Sequence, residues 1–441
     1  MKIQISEYTP SIIVLALFYF FAIFSPPLIK GVPIGYLVLL FMFLYITYSL
    51  ATSNKVMHVK RNTLKFFYGF VPFILYVSIC MFYRIAFSNT PHEVAAYVFN
   101  LRHVAIAGLF IVLSYASLTY FLDKHKNFIK NDMFRVFLIV ALLQSFCIML
   151  SYFYEGIQSL FIGFVLKNGG SEIMQEAIDN NIFRAYGLSG YYFDALAYVL
   201  SGLSILLFAE GLYSNKNSLC VLAIFVSLSS AMTARTGIVL SLIGFAIVFL
   251  NYFRNKLKLN LKTFFKGITI IFFIVLLCYL FYQNIPDEKK LAIEYAVTVT
   301  QKLLLDQEIT GVYSQILLAD VVFPDNVLFG LNAMPEAMGY YDNTGHAIDN
   351  GYIQVIWRFG VVGLLLLLFG HIYFFHKIYK GCNNACTKSI IIAFAVSLAL
   401  YYIKIYPLNK NGANIIYFVI PLVLYYYENY WRNLLDKNYT K

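Results

Sequence analysis

The sequence has little charge. Of its 441 residues, 12% are charged and 60% are hydrophobic, and the mean hydropathy is +0.71. A soluble globular domain carries about 25% charged residues. Apolar runs recur along the whole chain, and each is long enough to cross a hydrocarbon core of about 30 Å. These features exclude an ordinary soluble protein and predict an all-α, polytopic integral membrane protein.

Cysteine pairs and metal-ligand motifs are also scarce. Four of the six cysteines fall in apolar runs, and Cys382 and Cys386 share a basic loop without a second ligand pair. A structural zinc site needs four ligands, so this pair does not indicate one. No HExxH motif is present and no acidic pair precedes a span. We therefore expect no metal and no other cofactor.

Basic residues are the more abundant charged type, with 33 Lys and Arg against 22 Asp and Glu. They lie in short loops between apolar runs, where they set membrane topology, so we expect no nucleic-acid partner. One set of alternating loops, together with both termini, holds 20 of these basic residues, and the other set holds 8. Positive residues mark the cytoplasmic side, which places both termini there.

The pattern predicts about twelve transmembrane helices in a single transmembrane domain over 1–441. No small-residue cleavage site follows the first apolar run, so we interpret that run as a span and not as a signal peptide. The predicted spans are 9–25, 33–51, 66–87, 95–122, 133–155, 191–212, 218–233, 237–253, 267–283, 351–376, 389–405 and 413–431. Two long outer loops are predicted at 156–190 and 284–350, and loops of such length are more often functional than simple connectors.

Several cations lie within the spans, where an ionisable residue is costly and invites a functional interpretation. Arg135 is near a cytoplasmic end, and snorkelling explains it. Six other cations are predicted at one level, near the outer surface. Four of them are in spans and two are in loops: Arg84, Arg102, Arg358, Lys404, Arg184 and Arg235.

These six cations exceed the acidic residues expected at the same level, which are Asp194 and Asp349. Each arginine alone has a simpler explanation, either snorkelling to headgroups or pairing with a nearby carboxylate. Together they indicate a site for a polyanion, and a diphosphate is the natural candidate because guanidinium groups bind phosphate oxygens in pairs.

His346 lies on the same predicted side, just before the span that contains Arg358. Asn350 or Asp349 can cap the first N–H groups of that span. A neutral imidazole can take a proton from a sugar hydroxyl, because its reference pKa of about 6.5 is near working pH. The alternative is an interfacial histidine that only hydrogen-bonds to headgroups or to its loop, and the spacing leaves both open.

Three stretches carry a resemblance to a known family. They are "FRAYGLSGYYFDALAYVLSGLSILL", the short turn in "SLSSAMTARTGIVLSLIGFAIVFL", and "FPDNVLFGLNAMPE" followed by "HAIDNGYIQVIWRFGVVGLLLLL". In their order and predicted outer placement, the chain resembles the O-antigen polymerase and O-antigen ligase superfamily of bacterial envelope glycosyltransferases. One departure concerns the histidine: the family often has Asn directly after it, whereas Ala347 follows here and Asn350 comes later.

The resemblance implies a GT-C-like transferase in the bacterial inner membrane, with its active site facing the periplasm and no metal. Arg184 and Arg235 would bind the donor diphosphate, with Arg102 and Arg358 near them. His346 would activate or position the acceptor hydroxyl, and Asp349, Asn350, Asp194 and Arg84 would support the site. The implied partners are the lipid bilayer and undecaprenyl-diphosphate-linked repeat units as donor and acceptor, with a chain-length regulator protein as a further candidate.

The length and the two sizeable outer loops favour an O-antigen polymerase, which extends a surface polysaccharide for lipopolysaccharide biosynthesis. A ligase, which transfers the polysaccharide to lipid A core, is the first alternative. A flippase or other transporter is the second, although no repeated halves are visible and the charges gather at one face and not at the midplane. A purely structural membrane protein is the least favoured interpretation.

Overall fold

The computed structural model describes most of the chain as helices joined by short connections. The described residues are 9–26, 34–52, 65–88, 90–124, 130–169, 185, 187–189, 193–255, 283, 323–331, 350–404, 406 and 411–439. All regular structure within them is helical. The prediction of an all-α protein is therefore confirmed for this part of the chain.

Twelve α-helices of more than four residues are found in these ranges. They are α1 (Thr9–Phe24), α2 (Ile34–Thr52), α3 (Val71–Ala86), α4 (Pro91–Lys124), α5 (Lys130–Phe153), α6 (Glu155–Gly169), α7 (Phe193–Tyr213), α8 (Asn217–Thr233), α9 (Arg235–Asn255), α10 (Gly351–Gly381), α11 (Ala385–Tyr401) and α12 (Ile420–Tyr439). A 3₁₀ helix over Lys65–Phe70 leads into α3, and a short helix with a π-helical turn over Asn411–Val419 leads into α12.

Six helices in the described ranges are long and apolar enough to cross a membrane. Their apolar stretches are Lys65–Ala86, Glu93–Thr119, Met133–Phe153, Asp194–Tyr213, Thr236–Asn255 and Gly351–Gly381. Shorter apolar helices lie at Ile12–Phe24, Asn217–Thr233 and Ala385–Tyr401. Length and composition therefore mark a membrane protein.

The helices follow the predicted spans closely, with one addition. Eleven of the twelve predicted spans coincide with a helix, and the predicted span 267–283 lies outside the described residues except for Gln283. The addition is α6, which occupies the start of the predicted loop 156–190. Its sequence, "EGIQSLFIGFVLKNG", is helix-compatible but too short for a span, which is why the hydropathy pattern placed it in a loop.

The helix α7 is the centre of the bundle. Its residues 195–212 are all buried, and α8, α9 and α11 pack around it. Small residues allow close approach: a Cβ added to Gly244 of α9 would overlap the side chain of Ile205 in α7. Without a hydrophobic driving force between helices in lipid, such close packing is a main source of association.

Contacts between helices show which helix ends lie together. Ser229 near the end of α8 donates a hydrogen bond to Ser145 in the second half of α5. Tyr198, one turn into α7, stacks on Tyr401 at the end of α11. Helix α10 begins at the same end of the bundle, since the Tyr352 N–H near its start donates a hydrogen bond to the Tyr402 carbonyl. We call this end of the bundle the site end; the sequence analysis assigns it to the outer side.

Helix α10 is interrupted at Gly360, the tenth residue of the helix. Gly360 has φ 68° and ψ 179°, a conformation that is essentially restricted to glycine. Such a break frees backbone groups that would otherwise be paired within the helix. Inside a bundle of membrane helices these groups need partners from the protein itself.

The segment Phe323–Leu331 supplies these partners. The N–H groups of Val361 and Val362 donate to the carbonyls of Val327 and Leu328, at 2.9 and 3.3 Å. In the other direction, the Leu331 N–H donates to the Trp357 carbonyl at 2.7 Å. The Phe359 carbonyl, directly before the break, accepts from the Tyr76 hydroxyl at 2.7 Å. This part of the predicted loop 284–350 therefore reaches about 15 Å down α10 from its start.

We predict that Gly360→Ala destabilises the protein. An alanine would adopt an unfavourable backbone conformation there, and its Cβ would overlap the Leu328 carbonyl. The expected loss is about 2–4 kcal/mol in the free energy of unfolding, seen as a lower thermal midpoint of the purified protein in detergent.

Gly108→Ala is the matched control. Gly108 lies within α4 and a Cβ there meets no atom within 4 Å, so this variant should be neutral or gain up to about 1 kcal/mol. Equal thermal midpoints for the two variants would contradict the account of the interrupted helix.

Candidate functional site

The turn between α8 and α9 consists of one residue, Ala234. Ala234 alone leaves the helical conformation, with φ −157° and ψ 145°, and its N–H donates to the Ser230 carbonyl at 3.1 Å. Helix α9 begins at the next residue, Arg235. A Cβ on Gly237 would overlap the Ser230 hydroxyl, so glycine lets α9 start close against α8. The backbone thus places Arg235 in the first turn of α9, at the site end.

Asp194 lies beside this turn. It is in the first turn of α7, and its Oδ1 accepts a hydrogen bond from the Thr236 hydroxyl at 3.1 Å. One turn deeper, α7 is bonded to α8 as well, where the Ser230 hydroxyl donates to the Ala197 carbonyl at 2.6 Å. The structure therefore brings Asp194 next to the residue that follows Arg235.

The chain that follows Arg184 also reaches this turn. The Ala185 N–H donates to the Met232 carbonyl at 3.1 Å, three residues before Arg235. Ala185 and Ser189 are fully buried, and the Ser189 hydroxyl donates to the Phe24 carbonyl at the end of α1. The described residues of this stretch, Ala185 and Gly187–Ser189, thus form a strap between α1, α5 and α8.

Gly187 fits the strap to α5. It has φ 57°, and a Cβ there would lie 2.7 Å from Nε2 of Gln144 and from Cγ1 of Ile148. Both the positive φ and the close approach require glycine.

Arg184 and the side chain of Arg235 lie outside the described part of the chain. What the structure brings together are their neighbours: Ala185 and Met232 through one backbone bond, and Thr236 and Asp194 through a side-chain bond. We define this group as the strap site.

Buried polar side chains surround the strap site. Ser145, Ser229, Ser230, Thr233 and Gln144 are all fully buried. The serines and threonine make hydrogen bonds, among them Ser229 to Ser145 at 2.8 Å. The Gln144 amide, in contrast, makes no hydrogen bond to any described residue. None of these residues was predicted as part of a site from the sequence. The one available signal is the glutamine within "ALLQSFCIML", because a polar residue inside a span often marks a functional position.

A second group forms at the start of α10. The Asn350 Oδ1 accepts from the N–H groups of Tyr352 and Ile353, at 3.0 and 3.2 Å, and so caps the helix. This is one of the two caps that the sequence analysis considered. His346 and Asp349 lie outside the described residues, so their predicted roles stay predictions.

Arg358 lies near the end of the first half of α10, two residues before Gly360. It is 1% exposed, and its Cζ lies 4.7 Å from the centre of the buried Tyr406 ring, a cation–π contact. Burial raises the pKa of the Tyr406 hydroxyl to about 12, and the Arg358 guanidinium acts against this rise. The Arg358 side chain is therefore not accessible from outside the protein in this arrangement.

Arg84 joins the same region from α3. Its Nη2 donates to the Gly330 carbonyl at 3.3 Å. The next residue, Leu331, donates its N–H to the Trp357 carbonyl. The side chains of Arg84 and Lys404 are half-buried, and that of Arg102 is exposed on α4. The six cations predicted at one level therefore differ in environment wherever their side chains are described.

Stacked tyrosines link the strap site to the Arg358 region. Tyr198 stacks on Tyr401 with ring centres 3.3 Å apart, and on Tyr417 with ring centres 4.4 Å apart. Tyr402 follows Tyr401 in the chain and packs edge-on against Tyr406. No sequence pattern indicates this cluster, because Tyr198, Tyr401 and Tyr417 are distant in sequence.

Metal ligands do not come together in this region. Within the described residues, no three His, Cys, Asp or Glu side chains are grouped to hold a metal ion. Apart from the Asp194 carboxylate, the polar side chains described in this region are cationic, hydroxyl or amide groups, which suit an anionic or hydroxylated ligand. The expectation of a metal-independent site stays a prediction.

Comparison with known proteins adds no assignment. Neither protein-family models nor curated proteins give a match to this chain.

We predict that Gln144→Leu leaves the free energy of unfolding unchanged or raises it. The substitution removes an amide that is buried without hydrogen bonds to the described residues and keeps a similar volume. Thermal midpoints in detergent measure the effect.

Ser229→Ala is the contrasting variant. It removes the donor to the buried Ser145 hydroxyl and should cost about 1 kcal/mol. A loss for Gln144→Leu as large as that for Ser229→Ala would mean that the amide is bonded in the folded protein.

Proposed function

We propose that this protein is an O-antigen polymerase, a glycosyltransferase that joins undecaprenyl-diphosphate-linked repeat units on the periplasmic face of the bacterial inner membrane. In this proposal the described helices belong to about twelve spans with both termini in the cytoplasm, and the site end faces the periplasm. The donor and acceptor are both lipid-linked repeat units.

The observation that carries the proposal is the convergence at the strap site. A backbone hydrogen bond ties the residue after Arg184 to the turn before Arg235, and Asp194 is bonded to the residue after Arg235. These are the positions that the family resemblance implies for diphosphate binding. Arg184 directly precedes Ala185 in the sequence and Arg235 directly precedes Thr236, and two arginines linked in this way suit one diphosphate, which needs several donors at once.

The chemistry follows from the leaving group. Breaking the bond between the donor sugar and the lipid diphosphate leaves negative charge on the diphosphate, and nearby guanidinium groups stabilise that charge in the transition state. His346 takes the proton of the acceptor hydroxyl as the new glycosidic bond forms. Arg184 and Arg235 hold the diphosphate, and Asp194 and Thr236 help to fix the turn that carries Arg235.

An interrupted membrane helix such as α10 is also a feature of transporters, in which the freed helix ends face a substrate. Here the backbone groups next to Gly360 are hydrogen-bonded within the protein. The N–H groups of Val361 and Val362 donate to the segment Phe323–Leu331, and the Phe359 carbonyl accepts from the Tyr76 hydroxyl. The break therefore does not favour the transporter alternative.

We predict that Arg235→Ala and His346→Ala abolish chain growth while the protein still inserts in the membrane. The first removes charge stabilisation from the leaving diphosphate, and the second removes the base. The rate of chain growth should fall more than 100-fold, as is typical for such groups. The length distribution of the polysaccharide measures this loss.

Arg135→Ala is the control, since Arg135 lies on an exposed face near the start of α5, away from the site end. Normal chain length in a well-expressed Arg235 or His346 variant would overturn the assignment of that residue.

Deletion of the gene separates the polymerase from the ligase. Loss of a polymerase should leave lipid A core that bears a single repeat unit. Loss of a ligase should leave lipid A core without any repeat unit, while lipid-linked polymer accumulates, and that result would refute the proposal.

A further inference from the structure

An exposed stripe runs along α4. Ala95, Val98, Arg102, Ala105, Leu109 and Val112 are all exposed, and they recur every three or four residues, which places them on one face of the helix. Val98, Leu109 and Val112 expose about half of their surface. All of these residues except Arg102 are apolar, so the stripe is a lipid-facing surface with one cation in it.

Arg102 is deep along this helix. It is eleven residues from Pro91, a rise of about 16 Å at 1.5 Å per residue. Exposed apolar side chains lie toward both helix ends, Val98 and Phe99 on one side and Leu109 on the other. Arg102 therefore lies between exposed apolar residues, within the apolar stretch Glu93–Thr119 of the helix.

Arg102 also differs from the other cations in its contacts. Arg84 donates to the Gly330 carbonyl, and Arg358 is buried against Tyr406. The Arg102 guanidinium makes no hydrogen bond or ion pair with the residues that the structure describes. A cation at membrane depth is costly without a partner, so its exposed position indicates that a ligand from the bilayer supplies the negative charge.

The complement of such a surface is an amphiphile with a long apolar chain and a phosphate head. We infer that the α4 stripe is a lateral docking surface for a lipid diphosphate, in which Arg102 binds the phosphate and the apolar chain lies along the stripe. This inference rests on the proposed function for its choice of lipid, since that function requires a diphosphate lipid to reach the protein through the bilayer. A diphosphate also carries more negative charge than a phospholipid head, which favours it at a single desolvated cation.

Access supports the same choice. Among the cations predicted at the outer level whose side chains are described, Arg358 is buried and Arg84 and Lys404 are half-buried, whereas Arg102 is exposed. A lipid can therefore reach Arg102 first, without any change in the protein. Arg102 would act before the strap site, as a capture point and not as a catalytic residue.

The test measures lipid binding without turnover. The full chain is purified in detergent as wild type, Arg102→Leu and Arg102→Lys, and the Kd for undecaprenyl diphosphate is measured by native mass spectrometry, with phosphatidylglycerol as the comparison lipid. Arg102→Leu should raise the Kd for the diphosphate about tenfold or more, because one charge-assisted contact is lost. Arg102→Lys should raise it less, and neither should greatly change phosphatidylglycerol binding.

Arg135→Leu is the matched control, since it removes another exposed arginine from a membrane helix, near the start of α5; its Kd should equal that of wild type. Three results would overturn the inference. They are an unchanged Kd for Arg102→Leu, an equal loss for both lipids, and a disulfide between copies of an Ala105→Cys variant in the membrane, which would assign the stripe to a second copy of the chain.

The polymerase proposal fails separately. If it is wrong, the wild-type protein forms no polymer from lipid-linked repeat units, whatever the Kd values are. If only the docking inference is wrong, polymer forms at normal rates in Arg102→Leu at low donor concentration.

Discussion

The need to satisfy every backbone polar group inside a bundle of membrane helices shapes the site end of this protein. Helix α10 breaks at Gly360, and the break holds because Val327, Leu328 and Leu331 pair with the freed groups. Those bonds draw a loop segment deep along the helix, where Arg84 reaches the Gly330 carbonyl. The break thus converts a stretch of connecting chain into part of the packed protein.

The same constraint explains the strap site. A buried strap of non-helical chain needs partners, and the Met232 and Phe24 carbonyls accept from Ala185 and Ser189. Because the donors and acceptors come from three different parts of the sequence, they fix where the chain near Arg184 meets the turn at Arg235. Backbone pairing therefore brings together the residue that follows Arg184 and the turn that precedes Arg235.

Hydropathy predicted the helices well, because a span must be apolar over a fixed length; α7 and α9 begin and end within two residues of their predicted limits. Asn350 was predictable as a cap from its place before an apolar run. The break at Gly360 and the stacking of Tyr198 on Tyr401 were not, because both depend on partners far away in sequence. Hydropathy predicted that Arg102 and Arg358 lie within apolar helices, but their opposite exposure depends on which neighbours pack beside each helix.

The most direct test of the central claim is transfer by the purified protein. Full-length protein in detergent is mixed with undecaprenyl-diphosphate-linked repeat units as the sole sugar substrate, in the presence of a chelator, and the products are separated by size. The account predicts lipid-linked chains of two or more repeat units and release of undecaprenyl diphosphate in equal number to the bonds formed. Transfer to lipid A core with no joining of repeat units, or joining that requires an added divalent metal, would contradict it.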